Sequence, residues 1–221
     1  MGFVLLGLAL VFEPLVLGGG WTWLLMWAGV TLLVVGAAYI AGRPGIFGKR
    51  TNGALGAPHA IALLPFLAVT WAMWHLIRLV SREPAVHRVR PGLAIGRRLL
   101  PSEIPDDIEV IVDLTAEFTE RGIGGRTYHC LRILDGSIPD AAALALALAA
   151  IPPTRTVLVH CAKGHGRTAL FTACLLYHRG HAASAHEAIT AILVARPLAT
   201  MSENQRAFVE AFCTERAVLV A

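Results

Sequence analysis

The first 80 residues of this 221-residue chain contain very little charge. Glu13 is their only acid, and their basic side chains are Arg43, Lys49, Arg50 and Arg78. The whole chain is 56% hydrophobic and only 15% charged, which is too apolar for an ordinary soluble domain of this size. These shortages exclude a purely water-soluble protein and predict that part of the chain lies in lipid.

Cysteine is also scarce. The four cysteines, Cys130, Cys161, Cys174 and Cys213, lack the close pairs that are typical of a zinc site. They are also too few for a disulfide scaffold. The pattern therefore favours a reducing compartment, with three of the four thiols packed as small buried hydrophobic groups.

Three apolar runs, at residues 3–17, 21–41 and 61–80, follow one another in the N-terminal region. A membrane-spanning helix needs about 20 apolar residues, and the second and third runs approach that length. The first run is shorter and has neither the basic start nor the cleavage site of a secretory signal. Residues 1–80 are therefore predicted to form an all-α transmembrane region of two or three hydrophobic helices, with three spans preferred.

The basic residues leave the orientation of these helices open. The loop after the second run is basic, and Ser81 to Arg98 contains five arginines against the single acid Glu83. The positive-inside rule places basic segments on the cytoplasmic side of the membrane. If one full span separates these two segments, they lie on opposite sides and only one of them follows the rule. Both can follow it only if the third run lies partly in the interface. We favour a cytoplasmic location for residues 81–221. The abundance of Ala and Arg suggests a bacterial source, so an integral protein of the inner membrane is expected.

The arginine-rich segment also bears on the binding partner. Basic residues near a membrane surface are attracted to anionic headgroups by about 1 kcal/mol each. No aromatic residues alternate with these arginines and no groove-reading motif accompanies them, so nucleic acid is not an expected partner.

Residues 81–221 have the length and the pattern of a single α/β domain. Short β-branched or apolar segments predict strands, and Ala/Leu-rich segments and capping boxes predict helices. The predicted strands are 91–96, 108–114, 128–134 and 156–160; the predicted helices include 140–150 and 167–178, and two more that begin with the Ser184/Glu187 and Ser202/Gln205 boxes. A central sheet flanked by helices is therefore expected.

A loop suited to phosphate follows the last predicted strand. Its sequence is Cys161-Ala162-Lys163-Gly164-His165-Gly166-Arg167-Thr168. Inward-pointing N–H groups at a helix N-terminus form a cradle for a tetrahedral dianion, and glycines let the backbone approach it closely. Arg167 adds a planar, two-pronged donor. The same N–H groups should stabilise a thiolate at Cys161, which can attack phosphorus and form a covalent intermediate.

Two neighbouring side chains are expected to support this loop. Thr168 can donate a hydrogen bond from its hydroxyl to the Cys161 sulfur and help that sulfur to leave when the covalent intermediate is hydrolysed. His160 is predicted to orient the loop; a metal site made with Cys161 and His165 is disfavoured, because no further ligand pair has zinc spacing. No metal and no organic cofactor are expected, since thiolate attack with acid assistance needs none.

The pattern His160-Cys161-x5-Arg167-Thr168 resembles the signature loop of the protein tyrosine phosphatase superfamily, specifically its dual-specificity branch. The resemblance covers about residues 90–215 and includes the entry strand 92–96 and the strand end Asp113-Leu114-Thr115. It implies a dual-specificity-phosphatase-like sheet and a phosphomonoesterase that acts through a phosphocysteine. It also implies a general acid on a separate loop.

Asp135 is the favoured general acid. It follows a predicted strand in the segment 134–140, Leu-Asp-Gly-Ser-Ile-Pro-Asp, which is similar to the acid loop of that family. Asp140 is the rival, although its position beside Pro139 fits the start of a helix better. Asp113 ends a strand and is assigned a structural role.

The basic residues Lys163 and His165 resemble those in the corresponding loop of phosphoinositide and phospholipid phosphatases. Together with the apolar runs and the arginine-rich segment, they favour a phosphorylated lipid headgroup as the substrate. A membrane-tethered protein tyrosine or dual-specificity phosphatase is the main alternative. An inactive phosphate-binding adaptor and a redox or persulfide enzyme are less favoured, because the chain has Cys161, Arg167 and a candidate acid together.

Overall fold

The computed structural model describes residues 2–220, apart from the side chains of residues 15, 17 and 216–220. Its contacts divide the chain into two compact units, here called the helical unit and the sheet unit. The helical unit comprises Met1–Arg50, Ala54–Ser81 and Glu117–Thr119; the sheet unit comprises Thr51–Gly53, Arg82–Ala116 and Glu120–Ala221. The end residues of the two predicted domains, Met1 and Ala221, lie outside the described part.

The three apolar runs form the long helices of the helical unit. Its elements are α1 (Gly2–Leu17), α2 (Thr22–Ile40), a 3₁₀ turn (Pro44–Phe47), α3 (Ala57–Ala62) and α4 (Leu64–Val80). Among the described residues, α2 is the helix that is both long and apolar enough to cross a membrane, with 19 residues and a mean hydropathy of 1.9. Helices α1 and α4 are apolar but shorter. The preference for three spans therefore stays a prediction.

Helices α1 and α2 approach each other closely where both carry glycine. A Cβ atom at Gly7 would lie 2.9 Å from the Gly29 carbonyl oxygen, and one at Gly29 would lie 2.8 Å from the Gly7 carbonyl oxygen. Small residues permit this backbone approach, as they do at interfaces between membrane helices. At the end of α3, the carbonyl of Ala62 accepts hydrogen bonds from Trp27 Nε1 (2.9 Å) and Thr31 Oγ1 (3.0 Å).

The sheet unit contains a five-stranded sheet of order β1-β2-β5-β3-β4. The strands are β1 (Val86–Arg90), β2 (Leu93–Arg97), β3 (Val110–Thr115), β4 (Thr127–Ile133) and β5 (Val157–Cys161). β1 pairs antiparallel with β2, and the remaining neighbours are parallel. β1 is not among the predicted strands, because its arginines give it the appearance of a solvated basic segment. Charged residues are a common feature of edge strands.

The central strands are buried on both faces, as continuous apolar strands of a parallel sheet should be. Val157 and Val159 of β5 join the main core together with helices α5 (Ala141–Ala150), α6 (Gly166–His178), α7 (Ala185–Ala195) and α8 (Glu203–Val220). Leu158, which points to the opposite face, joins a smaller cluster that includes Ile104, Ile108 and Ile111. The predicted α/β sheet with flanking helices is confirmed.

Both predicted capping boxes begin helices in the structure. The Ser184 hydroxyl accepts from the Glu187 amide at 3.2 Å before α7. Before α8, the Gln205 amide donates to Ser202 Oγ at 3.3 Å, and the Ser202 amide donates to Gln205 Oε1 at 3.1 Å. These bonds satisfy amide donors that the first turn of a helix leaves without partners.

Candidate active site

Cys161 lies at the carboxyl end of β5, the middle strand of the sheet. Parallel pairing places it beside Arg97 of β2, and the preceding residue, His160, pairs with Asp113 of β3. In open α/β sheets, ligands bind outside the carboxyl ends of the strands. The strand therefore delivers the thiol to the edge where such sheets hold their ligands.

The loop after Cys161 is short, because α6 already begins at Gly166. The Gly164 amide donates a hydrogen bond to Cys161 Sγ at 3.2 Å, and the thiol itself is buried. The sulfur thus accepts a backbone hydrogen bond inside the loop that leads into α6. This is the arrangement that the sequence predicted for a nucleophilic cysteine.

Gly164 occupies a position that other residues cannot take without strain. Its φ is +78°, and a Cβ atom there would lie 2.3 Å from the carbonyl carbon and oxygen of Gly96 and 2.5 Å from the Arg97 nitrogen. The loop thus packs backbone against backbone on β2. Glycine is required here both for its φ angle and for this close approach.

Arg167 lies in the first turn of α6, and its side chain is 1% exposed. Nη1 donates to the Ile133 carbonyl oxygen at 2.9 Å, and Nη2 lies 3.2 Å from Asp135 Oδ1. The end of β4 thereby fixes the plane of the guanidinium group. A planar fork held in this way is suited to two oxygens of one phosphate.

Asp135 follows β4 closely and reaches the same edge of the sheet. Its side chain is 68% exposed, so it is open to solvent while it contacts Arg167. Gly136, the next residue, has a φ of +73° and forms part of the turn at Leu134–Ser137. Asp140 instead caps α5, where Oδ1 accepts from the Ala143 amide at 2.8 Å. The structure therefore brings Asp135 to the predicted site and employs Asp140 as a helix cap.

The beginning of α8 supports the loop that carries Asp135. Gln205 Nε2 donates to the Ser137 carbonyl oxygen at 3.0 Å, and Ser202 Oγ donates to the Gly136 carbonyl oxygen at 3.4 Å. Gln205 also borders the phosphate loop, since a Cβ atom at Gly166 would lie 2.7 Å from Gln205 Oε1. From the sequence, Gln205 was expected only as part of a capping box, and its contact with the candidate acid loop was missed.

A buried polar cluster lies beside the start of the phosphate loop. Ligand atoms of Asp113, Glu120 and His160 are all within 4.8 Å of one another. The carboxylates already accept hydrogen bonds: Asp113 Oδ2 from Tyr128 at 2.7 Å, and Glu120 Oε2 from Arg98 at 3.1 Å. The bonds to Tyr128 and Arg98 hold the two carboxylates in place beside His160. The structural role predicted for Asp113 agrees with these contacts.

Thr168 does not show the contact that the sequence led us to expect. Its hydroxyl is buried and has no hydrogen-bond acceptor among the residues that the structure describes, so the bond to the Cys161 sulfur is not formed here. Its assistance to the leaving sulfur stays a prediction.

The two basic residues of the phosphate loop differ in their surroundings. Lys163 is exposed, whereas His165 Nε2 lies 2.9 Å from Glu83 Oε2. Arg196 also contacts Glu83, at 2.9 Å, and donates to the Lys163 carbonyl oxygen at 3.1 Å. Neither Glu83 nor Arg196 is among the predicted site residues. The one sequence signal for Glu83 is that it is a single acid among arginines.

Comparison with solved structures identifies the fold. Human DUSP28 matches with 19% sequence identity and a TM-score of 0.53 over 61% of this chain and 96% of that one. PTPMT1, solved in complex with PI(5)P, matches with 20% identity and a TM-score of 0.55 over 62% of this chain and 100% of that one. Tk-PTP in its active form matches with 23% identity and a TM-score of 0.54 over 60% and 98%.

The chain therefore has the fold of the dual-specificity branch of the protein tyrosine phosphatase superfamily, which is the fold that the signature loop predicted. No protein-family model matches it, and no curated protein matches it in sequence. Since all three identities are below 25%, these likenesses define the fold, and the chemistry has to be argued from the site.

Proposed function

We propose that the protein is a cysteine-dependent phosphomonoesterase. One observation carries the proposal: Cys161 and Arg167 lie on the same strand-loop-helix turn, and Asp135 from a separate loop lies 3.2 Å from Arg167. Nucleophile, phosphate clamp and acid thus meet at one edge of the sheet, in the fold of the dual-specificity phosphatases.

The first chemical step is transfer of the phosphoryl group to sulfur. The Cys161 thiolate attacks phosphorus, the bond to the ester oxygen breaks, and Asp135 donates a proton to that leaving oxygen. Arg167 and the loop amides, contributed by residues 162–166, bind the non-bridging oxygens as their charge changes. A phosphocysteine and a free alcohol result.

The second step returns the enzyme to its starting state. Asp135, now ionised, accepts a proton from water as the water oxygen attacks phosphorus, and the bond to sulfur breaks. Inorganic phosphate is released and the Cys161 thiolate is restored. Thr168 is proposed to donate a hydrogen bond to that sulfur as it leaves. The residues of the site perform both steps with acid–base and nucleophilic chemistry alone, so addition of a chelator is expected to leave the rate unchanged.

We further propose that the substrate is a phosphorylated membrane lipid headgroup. The apolar helix α2 can hold the protein at a membrane, and the exposed Arg82 at the start of the arginine-rich segment can attract anionic lipid. The complex of PTPMT1 with PI(5)P shows that a protein of this fold accommodates such a headgroup. Lys163, exposed in the phosphate loop, supplies positive charge for it.

The expected location is a bacterial inner membrane, with residues 1–80 as the membrane region and residues 81–221 as a catalytic domain on the cytoplasmic side. Protease treatment of sealed, right-side-out vesicles tests this orientation. Residues 81–221 should be protected until the vesicles are opened, and digestion in intact vesicles would contradict the assignment.

Phosphate release from a panel of substrates separates the proposed lipid activity from the alternative of a tethered protein phosphatase. The full-length protein in detergent is assayed with phosphatidylglycerol phosphate, phosphatidylinositol phosphates and phosphotyrosyl peptides, with Cys161→Ser as the control. A Cys161-dependent preference for a lipid supports the proposal. A preference for the peptides would replace the lipid substrate by a protein, and binding of phosphate without any release would indicate an adaptor.

A further inference from the structure

Glu83 joins two parts of the sheet unit that surround the phosphate loop. It lies in the segment before β1, and its side chain is only 12% exposed. A single carboxylate oxygen, Oε2, lies 2.9 Å from Arg196 Nη2 and 2.9 Å from His165 Nε2. One acid therefore holds a residue of the loop and a residue at the end of α7 together.

Arg196 contacts the same loop from its buried side. It is the residue that ends α7, its side chain is 1% exposed, and Nη2 donates to the Lys163 carbonyl oxygen at 3.1 Å. Nε and Nη1 are buried without an acceptor among the described residues. The contacts of the guanidinium group are those that Nη2 makes with Glu83 and with the loop. Burial lowers the pKa of Arg196, and the negative groups Glu83 and Cys161 oppose that change.

The imidazole of His165 contacts Glu83 and not the helix that it precedes. His165 is the N-cap residue of α6, but its side chain makes no capping hydrogen bond to the helix. It turns to Glu83 instead. The two loop residues on either side of Gly164 are thus both tied to one carboxylate, Lys163 through the Arg196 guanidinium and His165 directly.

We propose that Glu83 is a positioning residue, which together with Arg196 holds residues 163–165 in the shape that binds phosphate. The proposal rests on the phosphatase function proposed above and adds a residue from outside the signature loop. Without the carboxylate, Arg196 would stay buried but lose the anionic partner that it contacts directly, and it would be driven to move away from the Lys163 carbonyl. The backbone amides of the loop would then no longer converge on one anion.

The test compares Glu83→Gln with Asp107→Asn in the full-length protein. Both changes neutralise an acid that pairs with an arginine, but the Arg88–Asp107 pair is exposed, with 42% and 57% of the two side chains accessible. Binding of inorganic phosphate is measured by isothermal titration, and kcat and KM are measured with an activated aryl phosphate. Glu83→Gln should weaken phosphate binding and raise KM by about tenfold or more, the order of loss expected when a site is displaced by a fraction of an ångström. Asp107→Asn should change neither.

A purely structural role of Glu83 would give a different result, namely a lower melting temperature with unchanged phosphate affinity. That outcome would overturn the proposal. If Glu83→Asp, which keeps the charge, restores part of the phosphate affinity, the electrostatic contact is supported. The two proposals fail in distinguishable ways. If the unsubstituted protein neither binds nor releases phosphate, the phosphatase function is refuted. If the unsubstituted protein is active and Glu83→Gln is unaffected, only the positioning role is refuted.

Discussion

The close approach of the phosphate loop to β2 gives a quantitative prediction for Gly164→Ala. The new Cβ would lie 2.3 Å from the Gly96 backbone, whereas ordinary contact begins at 3.4 Å, so the loop must retreat by about 1.1 Å. A displacement of about 1 Å in a catalytic site can cost about 100-fold in rate. The φ of +78° adds about 1–2 kcal/mol of backbone strain for an alanine.

Gly92→Ala is a matched control for this change. Gly92 lies in the turn between β1 and β2, has the same φ of +78°, and has no atom within 4 Å of an added Cβ. The alanine at this position therefore has the strain of the φ angle but does not displace the phosphate loop. Both variants should lose stability, but only Gly164→Ala should lose function.

The assay is kcat/KM with an activated aryl phosphate, together with the melting temperature of each variant. Gly164→Ala is expected to reduce kcat/KM by about 100-fold or more, and Gly92→Ala by less than about twofold. If Gly164→Ala stays within about threefold of Gly92→Ala, the contact between the loop and β2 does not set the geometry of the site.

Three further substitutions test individual contacts. Asp135→Asn should reduce kcat/KM about 100-fold more for a substrate with a poor leaving group than for an activated aryl phosphate, because only the poor leaving group needs a proton. Equal losses of kcat/KM for the two substrates would remove Asp135 from the acid role. Asp140→Ala removes the hydrogen bond from the Ala143 amide and should lower the free energy of unfolding by about 1 kcal/mol. The dependence of kcat/KM on the leaving group should not change; a change would indicate that Asp140 is the acid. Tyr128→Phe leaves the buried Asp113 without one donor and should cost about 1–3 kcal/mol in denaturant unfolding; an unchanged midpoint would show that this bond contributes nothing.

The parts of the fold that follow from local sequence were predicted well. β5 was recognisable as a short apolar run, and the capping boxes at Ser184 and Ser202 gave the starts of α7 and α8. β1 was missed, because an exposed edge strand can carry arginines that resemble a solvated segment. The spans of the N-terminal helices were harder to predict, since apolar length alone does not show where a helix ends.

Within the site, the motif indicates only the relative placement of residues that are neighbours in sequence. Cys161, Gly164 and Arg167 belong to one turn, so their arrangement follows from the motif. Glu83 and Gln205 come from distant segments, and only the folded chain brings them to the two loops. A single sequence carries no signal for such pairs beyond an acid in a basic segment or a residue already explained as a cap.

The proposed mechanism requires that Cys161 becomes phosphorylated during turnover. The full-length Asp135→Asn protein, mixed with an activated aryl phosphate and quenched in acid, should retain the intermediate, because the group that activates water is lost. Peptide mapping by mass spectrometry should find one phosphoryl group on Cys161, and Cys161→Ser should show neither the adduct nor turnover. Steady release of phosphate by Cys161→Ser, or its loss on addition of a chelator to the parent protein, would contradict the account.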